Sequence, residues 1–223
     1  MIKYHPDENM LAEYVAGSLD KALAIAVKTH ICFCQECANR IKAFQLVGAA
    51  MFCPNGDTKT AADNKEKLAG DFEKLMAKIQ TRAEPIAVAA SSRPATSSLP
   101  PIVEKLLPQG EIPWHRVSPS LRQCNLSAGQ SRYEVSLYKI RRGGKVTEHD
   151  HRGREITIVL QGAFSDESGN YEVGDFITQL PGQRHRPRAS EDRDCLCFAV
   201  VEAPIKLTGL ASVLNPFVRF RPT

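Results

Sequence analysis

The stretch His30-Ile31-Cys32-Phe33-Cys34-Gln35-Glu36-Cys37 constrains this chain more than any other. A histidine, a cysteine four residues later and a second cysteine three after that would share one face of a helix, stacked at successive turns. Imidazole and thiolate donors on one face suit a tetrahedral zinc ion, with Zn–S about 2.3 Å and Zn–N about 2.0–2.1 Å. Three donors leave one vertex open. His5, twenty-five residues upstream, is the natural fourth ligand of a His2Cys2 site, with water or a partner's side chain as its substitute. Cys32 lies two residues from His30 and points off that face, so it is expected to be a small buried hydrophobe.

The rest of the composition agrees with a metal rather than a disulfide framework. Seven cysteines is an odd number, and the Cys-x2-Cys pair stands in a helical pattern beside histidine, which favours a reducing compartment. The stretch Met1-Ile2-Lys3-Tyr4-His5-Pro6-Asp7-Glu8 has no apolar h-region, and no apolar run approaches the roughly 18 residues that span a bilayer. A cytoplasmic protein with no membrane contact is expected. Net charge is +4, and residues 1–80 balance 10 Lys/Arg against 10 Asp/Glu, which argues against direct nucleic-acid binding.

Three kinds of sequence follow one another. Glu8 to Ala16 reads as a helix closed by Gly17; a second, capped by Ser18 or Asp20, carries Leu19, Leu23, Val27 and His30 along one stripe. A third begins near the cysteines and runs through Ala38, Ile41, Phe44, Val47 and Met51 to the turn Asn55-Gly56-Asp57. A fourth amphipathic segment presents Leu68, Phe72, Leu75 and Ile79. That stripe either completes a small bundle or lies in a partner's groove. Proline, alanine and serine then replace any hydrophobic period, with Pro85, Pro94, Pro100 and Pro101 marking a linker. The expected division is a zinc-binding helical domain over residues 1–82, a linker over 83–101 and an antiparallel β-domain over 102–223. In the last, short runs such as Tyr133–Ile140, Glu155–Leu160, Asp175–Leu180 and Cys195–Val201 alternate with turn signals, the pattern of a sandwich or barrel. The fold class is therefore α+β in two domains.

The β-domain carries a second constellation. His149, His151 and Glu155 are spaced by two and four residues and fall on one face of a strand pair, with His185 supplied by a later strand as a fourth ligand. Three imidazoles and a carboxylate in a barrel mouth suit zinc or another divalent transition metal. Cys195 and Cys197 share a face of the last long strand, either as core packing or as part of a sensor.

The run Gly143-x5-His149-x-His151-x3-Glu155-x6-Gly162 resembles the first cupin motif, and Gly174 through His185, with Pro181 and Gly182, resembles the second. Two departures stand out: Gly182 follows Pro181 directly, and Ala189 occupies a place where cupins often carry asparagine. His5 with His30-x3-Cys34-x2-Cys37 is similar to the zinc-binding anti-sigma domain. The two in this order, joined by a proline-rich linker, resemble the ChrR family of anti-sigma factors along the whole chain. The resemblance implies a cupin-like β-barrel and zinc in either domain. It also implies a helical part that binds a group IV (extracytoplasmic-function) sigma factor and keeps it from RNA polymerase. Release would follow singlet oxygen or related oxidative stress, for which the cupin-like domain is needed. No catalytic residue is expected on this reading; the partner-binding face would be Leu68, Phe72, Leu75 and Ile79. A metal-dependent cupin enzyme, an oxygenase or isomerase with an accessory zinc domain, is the alternative.

Overall fold

The computed structural model describes residues 2–52, 99–108, 112–218 and 220–222. The chain forms two compact units: Met1–Gln45 with Leu99–Thr223, and Leu46–Ser98. Of the second unit the described part is the last turns of the third helix, where Leu46, Val47 and Met51 are exposed. The turn at Asn55-Gly56-Asp57, the stripe Leu68, Phe72, Leu75 and Ile79, and the linker up to Ser98 lie outside the described residues.

Three helices open the chain. Helix α1 (Glu8–Ala16) begins at Asp7, whose carboxylate accepts from the Met10 amide at 2.8 Å, and ends at Gly17 in the left-handed region, φ 71°. Helix α2 (Lys21–His30) begins at Asp20, but that side chain makes no cap to its own helix. Its carboxylate instead accepts from Arg132 at 2.9 Å and the Tyr133 hydroxyl at 3.0 Å. Helix α3 (Gln35–Phe52) follows a short turn. The motif that opened the sequence therefore does not lie on one continuous helix. His30 ends α2, Cys34 stands just ahead of α3 and Cys37 lies in its first turn.

A six-residue helix, α4 (Pro101–Leu106), leads into the β-domain. Its strands are β1 (His115–Arg116), β2 (Leu121–Asn125), β3 (Glu134–Ile140), β4 (His149–Asp150), β5 (Glu155–Gln161), β6 (Ala163–Asp166), β7 (Gly169–Glu172), β8 (Phe176–Gln179), β9 (Arg188–Ala189), β10 (Cys195–Val201) and β11 (Lys206–Leu207). A 3-10 helix, Gly209–Phe217, follows. The main sheet is antiparallel in the order β1-β2-β3-β10-β5-β8; β7-β6-β9 and β11-β4 form smaller sheets. This is the α+β class; β3, β5, β8 and β10 lie where alternation foresaw them to within a residue or two at each end, while the other seven strands, six of them of two to four residues, were not among the expected runs.

The main sheet is covered on both faces, which is why β5 and β10 read as nearly unbroken apolar runs. Val135 and Leu137 of β3, Ile156 and Ile158 of β5, and Phe198 and Val200 of β10 pack with Ala22, Leu23, Ala26 and Val27 of α2. Val159, Cys195 and Cys197 face the other way, toward Phe164 and Tyr171 of the β6–β7 hairpin. Helix α2 is thus the middle of a core shared by helices and sheet. Among the described residues no helix is long and apolar enough to cross a membrane.

Candidate metal centres

The donor atoms of His5, His30, Cys34 and Cys37 lie within 4.8 Å of one another. The turn after α2 brings them together: the Phe33 and Cys34 amides both donate to the His30 carbonyl, which folds Cys34 back beneath the imidazole. The Cys37 amide donates to Cys34 Sγ at 3.4 Å, orienting the sulfur. His5 Nδ1 sits 3.4 Å from Cys34 Sγ and 3.3 Å from Cys37 Sγ. His30 Nδ1 donates to the Gly174 carbonyl at 2.7 Å. That bond fixes the tautomer and leaves Nε2 as a lone pair, and Nε2 is buried without a hydrogen-bond partner.

Electrostatics point the same way. Burial holds the His30 imidazole down to about 4, so it is neutral at physiological pH. Burial, with the Cys34 thiol beside it, pushes the Cys37 thiol up to about 12, so a thiolate here calls for a cation. An orphaned imidazole nitrogen, two buried sulfurs and a second imidazole fit a metal ion of the zinc type. A cleft of about 380 Å³, lined by Ile2, His5, Cys34, Glu36 and Val173 among others, opens beside the group. Cys32 is outside it. Contrary to the expectation of burial it is exposed, and its thiol donates to the Lys28 carbonyl at 3.3 Å. The turn that ends α2 swings it outward.

The second group is His149, His151 and His185, all buried. An isolated bridge between His149 and His185 aligns the two chain segments. His185 Nε2 lies 3.0 Å from His149 Nε2 and 3.1 Å from His151 Nε2. Behind the rings, His149 Nδ1 donates to the Thr147 carbonyl at 2.9 Å and His185 Nδ1 to Asp166 Oδ2 at 2.9 Å. Those two bonds leave bare lone pairs facing each other at Nε2, an arrangement that repels unless a cation sits between them. Glu155 is not in the cluster. Its carboxylate stands 3.3 Å from His151 Nδ1, without hydrogen-bond alignment, and accepts from Thr157 Oγ1 at 2.9 Å.

Burial lowers the His149 and His151 values, against the raising effect of Glu155. Burial would raise that of Asp166, but hydrogen bonds from His185, the Ser168 amide and Tyr171 outweigh it and hold the carboxyl low. A cavity of about 820 Å³ between the sheets reaches His149 and His185, with Glu155 and Cys197 in its walls. Cys195 and Cys197 lie with their sulfurs 3.6 Å apart. Asp166, Gly174 and Asp175 support these groups yet were not foreseen as site residues. Gly174 opens the run that resembles the second cupin motif, but His30, Lys3 and Tyr4, which bind it and Asp175, lie more than 140 residues away.

A family model described as the ChrR cupin-like domain matches residues 104–204. The anti-sigma-E factor ChrR of Cereibacter sphaeroides is 32% identical over 219 residues, covering 98% of this chain and 99% of its own length. The crystal structure of Rhodobacter sphaeroides SigE in complex with the anti-sigma ChrR is similar over 90% of this chain and 99% of that one, with a TM-score of 0.68 and 27% identity. The β-domain is therefore cupin-like, and kinship extends through the helices that carry His5, His30, Cys34 and Cys37. This chain belongs to the ChrR family of anti-sigma factors.

Proposed function

We propose that this chain is a cytoplasmic, zinc-dependent anti-sigma factor that binds a group IV sigma factor and releases it under singlet oxygen or related oxidative stress. One observation carries the reading. A chain related over its full length to an anti-sigma factor brings His5, half-buried, together with the buried His30, Cys34 and Cys37 in one cluster that has an unpartnered imidazole nitrogen. Zinc there, through all four residues, fixes α1 to α3 relative to one another. The segment bearing Leu68, Phe72, Leu75 and Ile79 then offers its apolar stripe to the sigma factor. Metal-coupled folding is large enough for this, since structural zinc contributes about 10–16 kcal/mol in small peptides at neutral pH. The helical domain ends near residue 82, and residues 83–101 connect it to the sensing half.

In the β-domain, His149, His151 and His185, with Glu155 beside them, hold zinc or another divalent metal. Oxidation of a ligand or of Cys195 and Cys197 would change the site's charge and geometry. An enzyme reading has less support, because the full-length relative is named an anti-sigma factor.

The test is capture of the cognate group IV sigma factor by wild-type, Cys34→Ser and Cys37→Ser full-length protein, with zinc content measured alongside. Both variants should lose zinc and capture together. Full capture by a zinc-free variant would sink the reading.

A further inference from the structure

The two ligand groups lean on the same piece of the β-domain. On one side is the turn Gly174–Asp175. The Gly174 carbonyl takes the His30 Nδ1–H bond at 2.7 Å. Asp175, almost fully buried, accepts at Oδ1 from the amides of Lys3 at 2.8 Å and Tyr4 at 3.2 Å, and at Oδ2 from the Glu172 amide at 2.8 Å. The Phe176 amide donates to the Tyr4 carbonyl at 3.0 Å. The segment that carries His5 is thus laid along the start of β8, and two of the four ligands in the cysteine group are placed by two consecutive β-domain residues.

On the other side is the β6–β7 hairpin. The Tyr4 ring packs on Tyr171 with centroids 4.9 Å apart. The Tyr171 hydroxyl donates to Asp166 Oδ1 at 3.0 Å, and Asp166 Oδ2 takes the His185 Nδ1–H bond at 2.9 Å. One contiguous path therefore runs from His185 through Asp166, Tyr171 and Tyr4 to His5. The fit is close along it. A methyl group at Gly169 would stand 2.5 Å from the Tyr4 hydroxyl, and one at Gly174 would stand 2.9 Å from Phe33 Cβ.

We infer that the β6–β7 hairpin and the Gly174–Asp175 turn couple the two ligand groups, with Asp166 and Asp175 as positioning residues. This rests on the proposed reading that both groups hold a metal. The element with two arrangements is the segment Lys3–His5, which is either seated on Asp175 and Tyr171 or released from them. Such a segment stays seated only while its few ties hold. With Nε2 committed to a metal, His185 keeps Nδ1–H on Asp166, and Asp166 keeps the Tyr171 ring under Tyr4. A disturbed histidine group loosens that ring, unseats Tyr4 and draws His5 away from Cys34 and Cys37. Coupling of this kind is reciprocal, so filling either group tightens the other by the same factor.

Cobalt(II) in the full-length protein supplies the test, because the thiolate-to-cobalt absorption band reports the cysteine group. The rate at which excess chelator removes that band is compared in wild type, Asp166→Asn, Tyr171→Phe, His151→Ala and Asp175→Asn. None of these changes a donor of the cysteine group. Asp166→Asn, His151→Ala and Asp175→Asn should each speed loss of the band by about tenfold, the lower end of the range for residues that orient metal ligands. The Asp166→Asn/Asp175→Asn double variant should fall short of the product of the two single effects. Tyr171→Phe keeps the ring and so tests the hydroxyl link in a folded protein; it should keep a single cooperative thermal transition while the band is lost faster. An intact band with unchanged loss rates in Tyr171→Phe and His151→Ala would overturn the coupling and leave the zinc reading standing. Absence of the band in wild type would overturn both.

Discussion

His30 does two jobs through its two ring nitrogens. Nδ1 ties α2 to the β-domain at Gly174, and Nε2 faces Cys34, Cys37 and His5. The acceptor it uses sits at φ 92°, a conformation that disfavours any residue but glycine, and a Cβ there would stand 2.6 Å from Ile2 Cδ1 and 2.9 Å from Phe33 Cβ. Gly182 gives a control, since its φ is 88° and nothing lies within 4 Å of where its Cβ would be. Gly182→Ala should cost only backbone strain, about 1–3 kcal/mol. Gly174→Ala should cost measurably more in urea unfolding, because its methyl group meets Ile2 and Phe33 as well. Equal losses would show that the close approach carries no energy.

At the scale of elements, α2 decides the architecture. Its Leu23 is 2% exposed and packs in the core that includes β3, β5 and β10. Leu23→Ala should cost about 2–5 kcal/mol, as large-to-small changes in cores do. Circular dichroism at a helix-sensitive and a strand-sensitive wavelength should record a single, earlier transition for both. Two separated transitions would mean that helices and sheet fold independently. The helices themselves were legible in the sequence, because Gly17 and the apolar stripe of α2 act within a few residues. The clustering of donors was legible for the same reason: His30, Cys34 and Cys37 fit within eight positions. What the spacing did not reveal is that a turn, not a continuous helix, stacks the donors, and that the same turn exposes Cys32. Asp20 shows the other limit. A cap was expected there from local chemistry, but its carboxylate finds Arg132 and Tyr133, more than 110 residues on. Patterns encode partners that are near in sequence; Asp166, Gly174 and Asp175 act on partners that only the finished fold brings close.

Considered whole, the first compact unit has two histidine-bearing centres and a helix buried between helices and sheet. If the proposed zinc is bound, removing it with a strong chelator at neutral pH should be felt first at the turn between α2 and α3, where the donor atoms of His5, His30, Cys34 and Cys37 face one another. Limited proteolysis followed by mass mapping should find new cleavage within residues 2–52, while β3, β5 and β10 stay protected; adding zinc should restore resistance. An unchanged fragment pattern would show that the helices hold their places without metal.

The shared core also bears on how such proteins diverge and how they can be engineered. A helical module whose middle helix fits Val135, Leu137, Ile156 and Phe198 is not a portable cassette. Grafting the helices of one relative onto the sheet of another would mismatch knobs and hollows on a surface that neither metal ligands nor partner contacts reveal. Residues 22–27 and the outward positions of β3, β5 and β10 should therefore drift together among relatives, and a working chimera must carry both sides of that seam.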